Sequence, residues 1–202
     1  MKENGVIMDQ ARSALSGRWG VAIAAGVCFL AASLVTELIP YLGWVVSLLI
    51  GGPFALGMAG FSLGIARGEQ VQVEQVFDGF KRFEVALEAY LRIVAWVALF
   101  LLLLIIPGIY KALQYSQTFY ILFEDNTIKP ADAMEKSKQM IDGHEIQLLW
   151  LVVWFVLLAC LSCITLFIGL LWLIPYMNVS YAKFYEALKT KDEPVINVAP
   201  GF

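Results

Sequence analysis

The sequence has one histidine, three cysteines and few charges: 14 lysines and arginines against 17 acids in 202 residues, 15% charged in all. Soluble domains carry about 25%. With the single His144 in a polar loop and Glu124-Asp125 reading as a solvated helix end, no nucleophile–base pair, carboxylate pair or ligand cluster stands out. Cys28, Cys160 and Cys163 all lie in apolar blocks. The last two have ligand-like spacing, but no histidine or carboxylate is near, so they read as small packing residues. No glycine loop ends in a lysine, which removes a phosphate cradle. The net charge of −3 excludes the basic stripe that would hold nucleic acid. The sequence thus offers no catalytic set, no cofactor site and no metal site, and it points away from an enzyme.

What is abundant is apolar. Hydrophobic residues make up 60% of the chain, and the mean hydropathy is +0.74. They fall in blocks near the roughly 20 residues that a helix needs to cross a bilayer. The pattern predicts an all-α membrane protein, with six transmembrane helices arranged as three hairpins. Each hairpin is preceded by a short cytoplasmic amphipathic helix. The spans fall at about 19–39, 41–66, 89–106, 109–123, 146–167 and 170–185, so that residues 1–188 form one transmembrane domain and 189–202 a mobile cytoplasmic tail. The first 18 residues carry Glu3 and Asp9, and the block after them is too long for a signal-peptide core of about 7–15 residues, so no signal peptide is expected.

Between the blocks lie three weaker periodic stretches. Ile7, Ala11, Ala14 and Leu15 share one helical face; so do Val73, Val76, Phe77 and Phe80, and again Ala133, Met134, Ser137 and Ile141. All three read as helices on the membrane surface. Gly17, Gly79 and Gly143 follow or interrupt them, which gives an internal repeat of roughly 62–64 residues. The second span is rich in glycine, including Gly57, Gly60 and Gly64. This composition suits either close helix packing or a Gly-Pro hinge at Pro53. Pro107-Gly108 is expected to turn the chain between spans three and four.

With six spans, every lysine and arginine except Lys111 falls on one side. Basic residues stay cytoplasmic, so both termini are expected inside. The other side carries only Glu37 and Lys111, a candidate ion pair that would require spans one and four to be neighbours. Polar residues inside spans form a candidate interior stripe: Gln114, Tyr115 and Thr118 on span four, Asn178 and Tyr181 on span six. They serve either as hydrogen-bonding glue between helices or as the lining of a path.

Several short motifs in a fixed order carry a resemblance. They include Gly-Gly-Pro at Gly51–Pro53, Ala-Arg-Gly-Glu at Ala66–Glu69, Phe-Asp-Gly-Phe at Phe77–Phe80, Ile-Ile-Pro-Gly-Ile at Ile105–Ile109 and Leu-Trp-Leu-Ile-Pro-Tyr at Leu171–Tyr176. Together they resemble the bacterial domain-of-unknown-function family 975, over about Met8 to Leu188. The resemblance implies a multi-pass protein of the bacterial plasma (inner) membrane and brings no catalytic residues. The expected role is an accessory or scaffold one, with the lipid bilayer and a membrane protein, or a second copy, as partners and no nucleic acid. The alternative is a small transporter or channel with a path lined by spans four and six. The topology has a direct test. Single cysteines at positions 3, 72, 128 and 195 are expected to stay unlabelled by an impermeant thiol reagent outside intact cells, and ready labelling at 128 would break the hairpin between spans three and four.

Overall fold

Glycine allows one helix to sit inside the others. The computed structural model describes residues 2–37, 43–164 and 169–192. Their order is α1 (Lys2–Leu15), α2 (Trp19–Glu37), α3 (Gly43–Arg67), a 3-10 helix (Val73–Arg82), α4 (Phe83–Leu103), α5 (Ile105–Gln114), α6 (Thr118–Glu124), α7 (Pro130–Ile141), α8 (Glu145–Ile164) and α9 (Leu170–Asp192). Every regular element among them is helical. Three helical stretches are long and apolar enough to cross a membrane: Val45–Arg67, Val73–Leu102 and Glu145–Ser162. A fourth arises if Asn4–Leu15 and Trp19–Leu34, bent by 98° to each other, form one broken span.

Burial separates these stretches. In α3, 67% of the most apolar window is buried, against 11% in the stretch containing α4 and 17% in α8. The centre is therefore α3, and α4 and α8 are flanks. Packing rather than apolar transfer holds such a centre in lipid, and close backbone approach is what strengthens it. A Cβ on Gly57 would lie 1.8 Å from the Val76 carbonyl oxygen, and one on Gly79 would lie 1.9 Å from the Pro53 carbonyl oxygen. One on Gly60 would meet the Phe123 ring at 2.0 Å. The 3-10 helix thus runs along the glycine face of α3, and α6 lays an aromatic ring on the same helix.

The stretch expected as an amphipathic surface helix is a 3-10 helix packed against α3. The stretch winds with three residues per turn, so Val76 and Gly79 stack on one edge and are both buried. Phe77 and Phe80 pack on Phe54 of α3, with centroids 5.5 and 5.2 Å away, and Phe29 of α2 reaches Phe54 from its other side at 5.9 Å. In α1, Ile7, Ala11 and Leu15 are buried. The Tyr176 hydroxyl donates to the Met8 carbonyl at 3.2 Å, and the Asn4 amide donates to the Gln147 carbonyl at 3.0 Å.

The turn between α4 and α5 lies at Leu104, an extended residue, and not at Pro107-Gly108. Pro107 sits in the first turn of α5, where a missing N–H costs nothing. Gly108 lets α5 fold back on α4, since a Cβ there would fall 2.5 Å from the Leu101 side chain. The span expected at 109–123 is two helices, α5 and α6, broken at Tyr115–Gln117. Ser137 of α7 bridges the break. Its hydroxyl donates to the Gln114 carbonyl at 2.6 Å and accepts from the Gln117 N–H at 3.2 Å. Those are backbone groups that the break leaves without helical partners and that lipid could not satisfy. The last helix also runs further than expected, to Asp192, into the stretch read as tail.

Of the three glycines that mark the expected repeat, Gly17 and Gly143 share a φ of +78°, a conformation that Gly68 also adopts at +82°. Beside Gly17 the Arg18 N–H donates to the Leu15 carbonyl at 2.9 Å, and beside Gly143 the His144 N–H to the Ile141 carbonyl at 2.8 Å. Gly79 has no such role and serves close packing instead. Replacing Gly57 or Gly79 by alanine is expected to destabilise the protein by about 1–3 kcal/mol, because backbone and not a flexible side chain must give way. Gly20→Ala, with nothing within 4 Å of the added carbon, is the control and leaves stability unchanged or slightly higher. Thermal melting in detergent reads both.

Candidate functional site

Two places concentrate polar groups, and the first is the charged end of the bundle. The C-terminal turns of α3, α6 and α9 meet there, bringing Arg67, Glu124, Tyr185, Glu186 and Lys189 together. The Arg67 guanidinium bonds both Glu124 and, at 2.6 Å, Glu186. The Glu124 carboxylate also accepts from the Tyr185 hydroxyl at 2.5 Å and from the Lys189 ammonium at 3.1 Å. Helix C-termini carry partial negative charge, so cations suit this place and carboxylates do not. Burial pushes the Glu124 carboxyl up. The hydrogen bonds from Tyr185, Arg67 and Lys189 outweigh it, and the group is held below its ordinary value of 4.5.

The charged end extends through neighbouring side chains. Arg18 donates to the Gly68 carbonyl at 2.6 Å. Arg82 donates to the Leu122 carbonyl in the last turn of α6 and, at 2.7 Å, to Asn126 Oδ1. Asp125 next to it accepts from the Thr127 hydroxyl at 2.7 Å and the Thr127 N–H at 2.9 Å; these bonds draw its carboxyl below the usual range.

The second place is a cavity of about 450 Å³ lined by α2, α3, α4, α9 and the start of α6. It lies against Gly51–Ala59, the middle of the candidate span Val45–Arg67. Its polar groups come from Tyr90, Ser116, Tyr120 and Asn178, and no charged residue lines it. Tyr120 joins the two places. Its hydroxyl donates to the Asn178 carbonyl at 3.4 Å, and its ring stacks on Tyr185 with centroids 5.4 Å apart.

The candidate stripe is divided. Gln114 closes α5 and Thr118 opens α6, so the two do not share one helical face, although both are buried. Gln114 accepts from the Lys111 ammonium at 3.0 Å, and that ammonium lies 5.4 and 5.6 Å from the Phe100 and Tyr115 ring centroids. Asn178 faces the cavity. Tyr181 packs on Phe155 of α8, 6.0 Å between centroids. Lys111 therefore engages its own hairpin, while the side chain of Glu37 lies outside the described residues. One contact joins groups expected on opposite sides of the membrane. The Tyr110 hydroxyl donates to Glu145 at 3.1 Å, so α5 leans toward the start of α8.

The cluster around Glu124 was not foreseeable from the local pattern. Its five residues come from three distant segments, and each alone reads as an ordinary helix end. Among the described residues no three His, Cys, Asp or Glu side chains gather to hold a metal ion.

A carboxyl held low stabilises the fold fully above its ordinary pKa, and the contribution is lost as pH falls through the depressed value. Melting temperature in detergent is expected to drop below about pH 4.5 in the wild type, more weakly in Glu124→Gln. At neutral pH that substitution costs about 1.5 kcal/mol, the lower end for a charged hydrogen bond because Arg67 and Lys189 are partly exposed. A pH profile identical to the wild type would remove Glu124 from this role.

No curated protein and no solved structure matches the chain. The profile of a family described as a protein of unknown function (DUF975) matches residues 84–192, from α4 to the end of α9 and more than half of the 202 residues. The chain belongs to that family.

Proposed function

We propose that this is a multi-pass protein of the bacterial plasma membrane with an accessory, non-catalytic role, holding a membrane partner or lipid against its flanks. In this reading six membrane segments form three hairpins, and both termini are cytoplasmic. The middle hairpin, α4–α5, enters and leaves on the cytoplasmic side. A middle hairpin that re-enters rather than crosses is supported by the contact of Tyr110 with Glu145 and by the apolar tip, where Leu102 and Ile106 are 87% and 82% exposed. The placement of the termini is the same whether that hairpin crosses or re-enters. The bonds of Arg18 to Gly68, Arg67 to Glu124 and Glu186, and Arg82 to Asn126 support one common charged side.

The observation that carries the accessory role is the division of α8. Leu148, Leu151 and Phe155 are buried, while Trp150, Trp154 and Leu157 on its other face are at least half exposed. Aromatic anchors on a helix held by one edge suit contact with another membrane helix. The transport reading has its own support in the broken span and the cavity beside it, since interrupted helices line many transport sites.

A photocrosslinking side chain in place of Trp154 is expected to give a discrete protein adduct in living cells, reduced when Trp150 is also changed to alanine. Lipid adducts alone, together with Ser116→Cys reacting with impermeant thiol reagents from both sides, would replace this role by transport.

A further inference from the structure

We propose that the cavity beside α3 binds the uncharged polar end of a neutral lipid, one carrying a carbonyl or hydroxyl oxygen. The inference rests on the protein being embedded in the bilayer, and it is independent of any partner on α8. The volume of about 450 Å³ falls in the range of ligand pockets, about 300–1,000 Å³. It is enough for a head and the first part of its chains. Phe29 and Leu30 at the α2 side are exposed, and between them the rest of a chain reaches the lipid.

Charge narrows the ligand. The cavity lies at the middle of a candidate span, and its lining contains neither cation nor carboxylate. A phosphate or ammonium head would enter unpaired at the most unfavourable depth. An uncharged head meets no such barrier.

Hydrogen bonding narrows it further. Ser116 Oγ already accepts from Gln117 Nε2 at 2.9 Å, which leaves the serine proton to donate. Gln117 itself is fully buried and orients that serine. The Tyr90 hydroxyl and the Asn178 carboxamide have no protein partner among the described residues. Gly51 gives the Tyr90 ring its place, because a Cβ there would fall 2.9 Å from it. Each of the three groups can donate, so an acceptor oxygen is a partner that all of them can bond. Ala55 and Ala59 keep the opposite wall low, and Met58 and Met177 give it adaptable apolar surface. Two lipid sources share this chemistry, acylglycerols and prenyl quinones.

The test uses the full chain in phosphatidylcholine nanodiscs and three diazirine probes: a diacylglycerol, a prenyl quinone and a phosphatidylglycerol. One neutral probe is expected to label peptides containing residues 29–30, 55–59 or 174–178 about tenfold more than the phosphatidylglycerol does, and which neutral probe does so names the source. Tyr90→Phe with Asn178→Leu removes two hydrogen bonds and should lower that labelling about tenfold while melting is unchanged. Ala55→Leu, which fills the cavity without touching its polar groups, should lower it as well. Equal labelling by the phosphatidylglycerol, or neutral labelling confined to α4 and α8, would overturn the site while leaving the accessory role intact. Labelling undiminished in Ala55→Leu would also overturn it, even if the double variant failed to fold.

Discussion

The structure depends on the approach of two backbones at Gly57 and Gly79. The Val76 carbonyl occupies the space where a side chain of residue 57 would begin, and the Pro53 carbonyl does the same at residue 79. No alternative side chain fits either place. This contact fixes the 3-10 helix along α3, and the 3-10 helix fixes where α4 begins. Gly52 continues the same line, since a Cβ there would lie 2.5 Å from the Ala86 carbonyl oxygen. The glycines of α3 therefore determine the path of the next thirty or so residues, and the small-residue approach that stabilises membrane helix pairs acts here between a helix and a connecting segment.

A ten-residue 3-10 helix is unusual, because its hydrogen bonds are poorer than those of an α-helix and its side chains eclipse. Tertiary contact compensates. With three residues per turn Val73, Val76, Gly79 and Arg82 line up, and the two central members face α3. Phe77 and Phe80, again three apart, line up on the adjacent edge and take Phe54 between them and Phe29. An α-helix would rotate this double row off the glycine face within one or two turns.

These geometries explain what was legible in the sequence and what was not. The helical character, the glycine-rich centre and the buried faces of α1 and α7 follow from composition and period, because they depend on local spacing. Val73 and Val76, and likewise Phe77 and Phe80, lie three apart, a spacing that periods of both 3.6 and 3 accommodate, and a glycine at the third position adds no hydrophobic signal, so the pattern does not tell the two kinds of helix apart. The break at Tyr115–Gln117 has no proline or glycine to mark it. It is sustained by Ser137, twenty residues away, which accepts from Gln117 and donates to Gln114. Pro107-Gly108 gave a strong turn signal three residues late, since proline tolerates the first turn of a helix as readily as it ends one. The ionic cluster depends on which helix ends meet, and that is settled by packing rather than by any local run of charge.

The cluster and the cavity are mechanically adjacent. Tyr120 contributes to the cavity wall, stacks on Tyr185 at 5.4 Å, and Tyr185 in turn donates to Glu124 at 2.5 Å. A shift of the Tyr120 ring therefore acts on the hydrogen bond that helps hold Glu124 ionised. The opposite order holds as well. Releasing Glu124 from Arg67 and Lys189 leaves the last turn of α6, the short helix that carries Tyr120 and lays Phe123 on Gly60, held by Arg82 and Tyr185. Because α6 is only seven residues long and is cut from α5 by the break, it has no neighbouring turns on that side to resist such a movement. Its position rests on Ser137 at one end, on the charged residues at the other, and on the glycine of α3 between them.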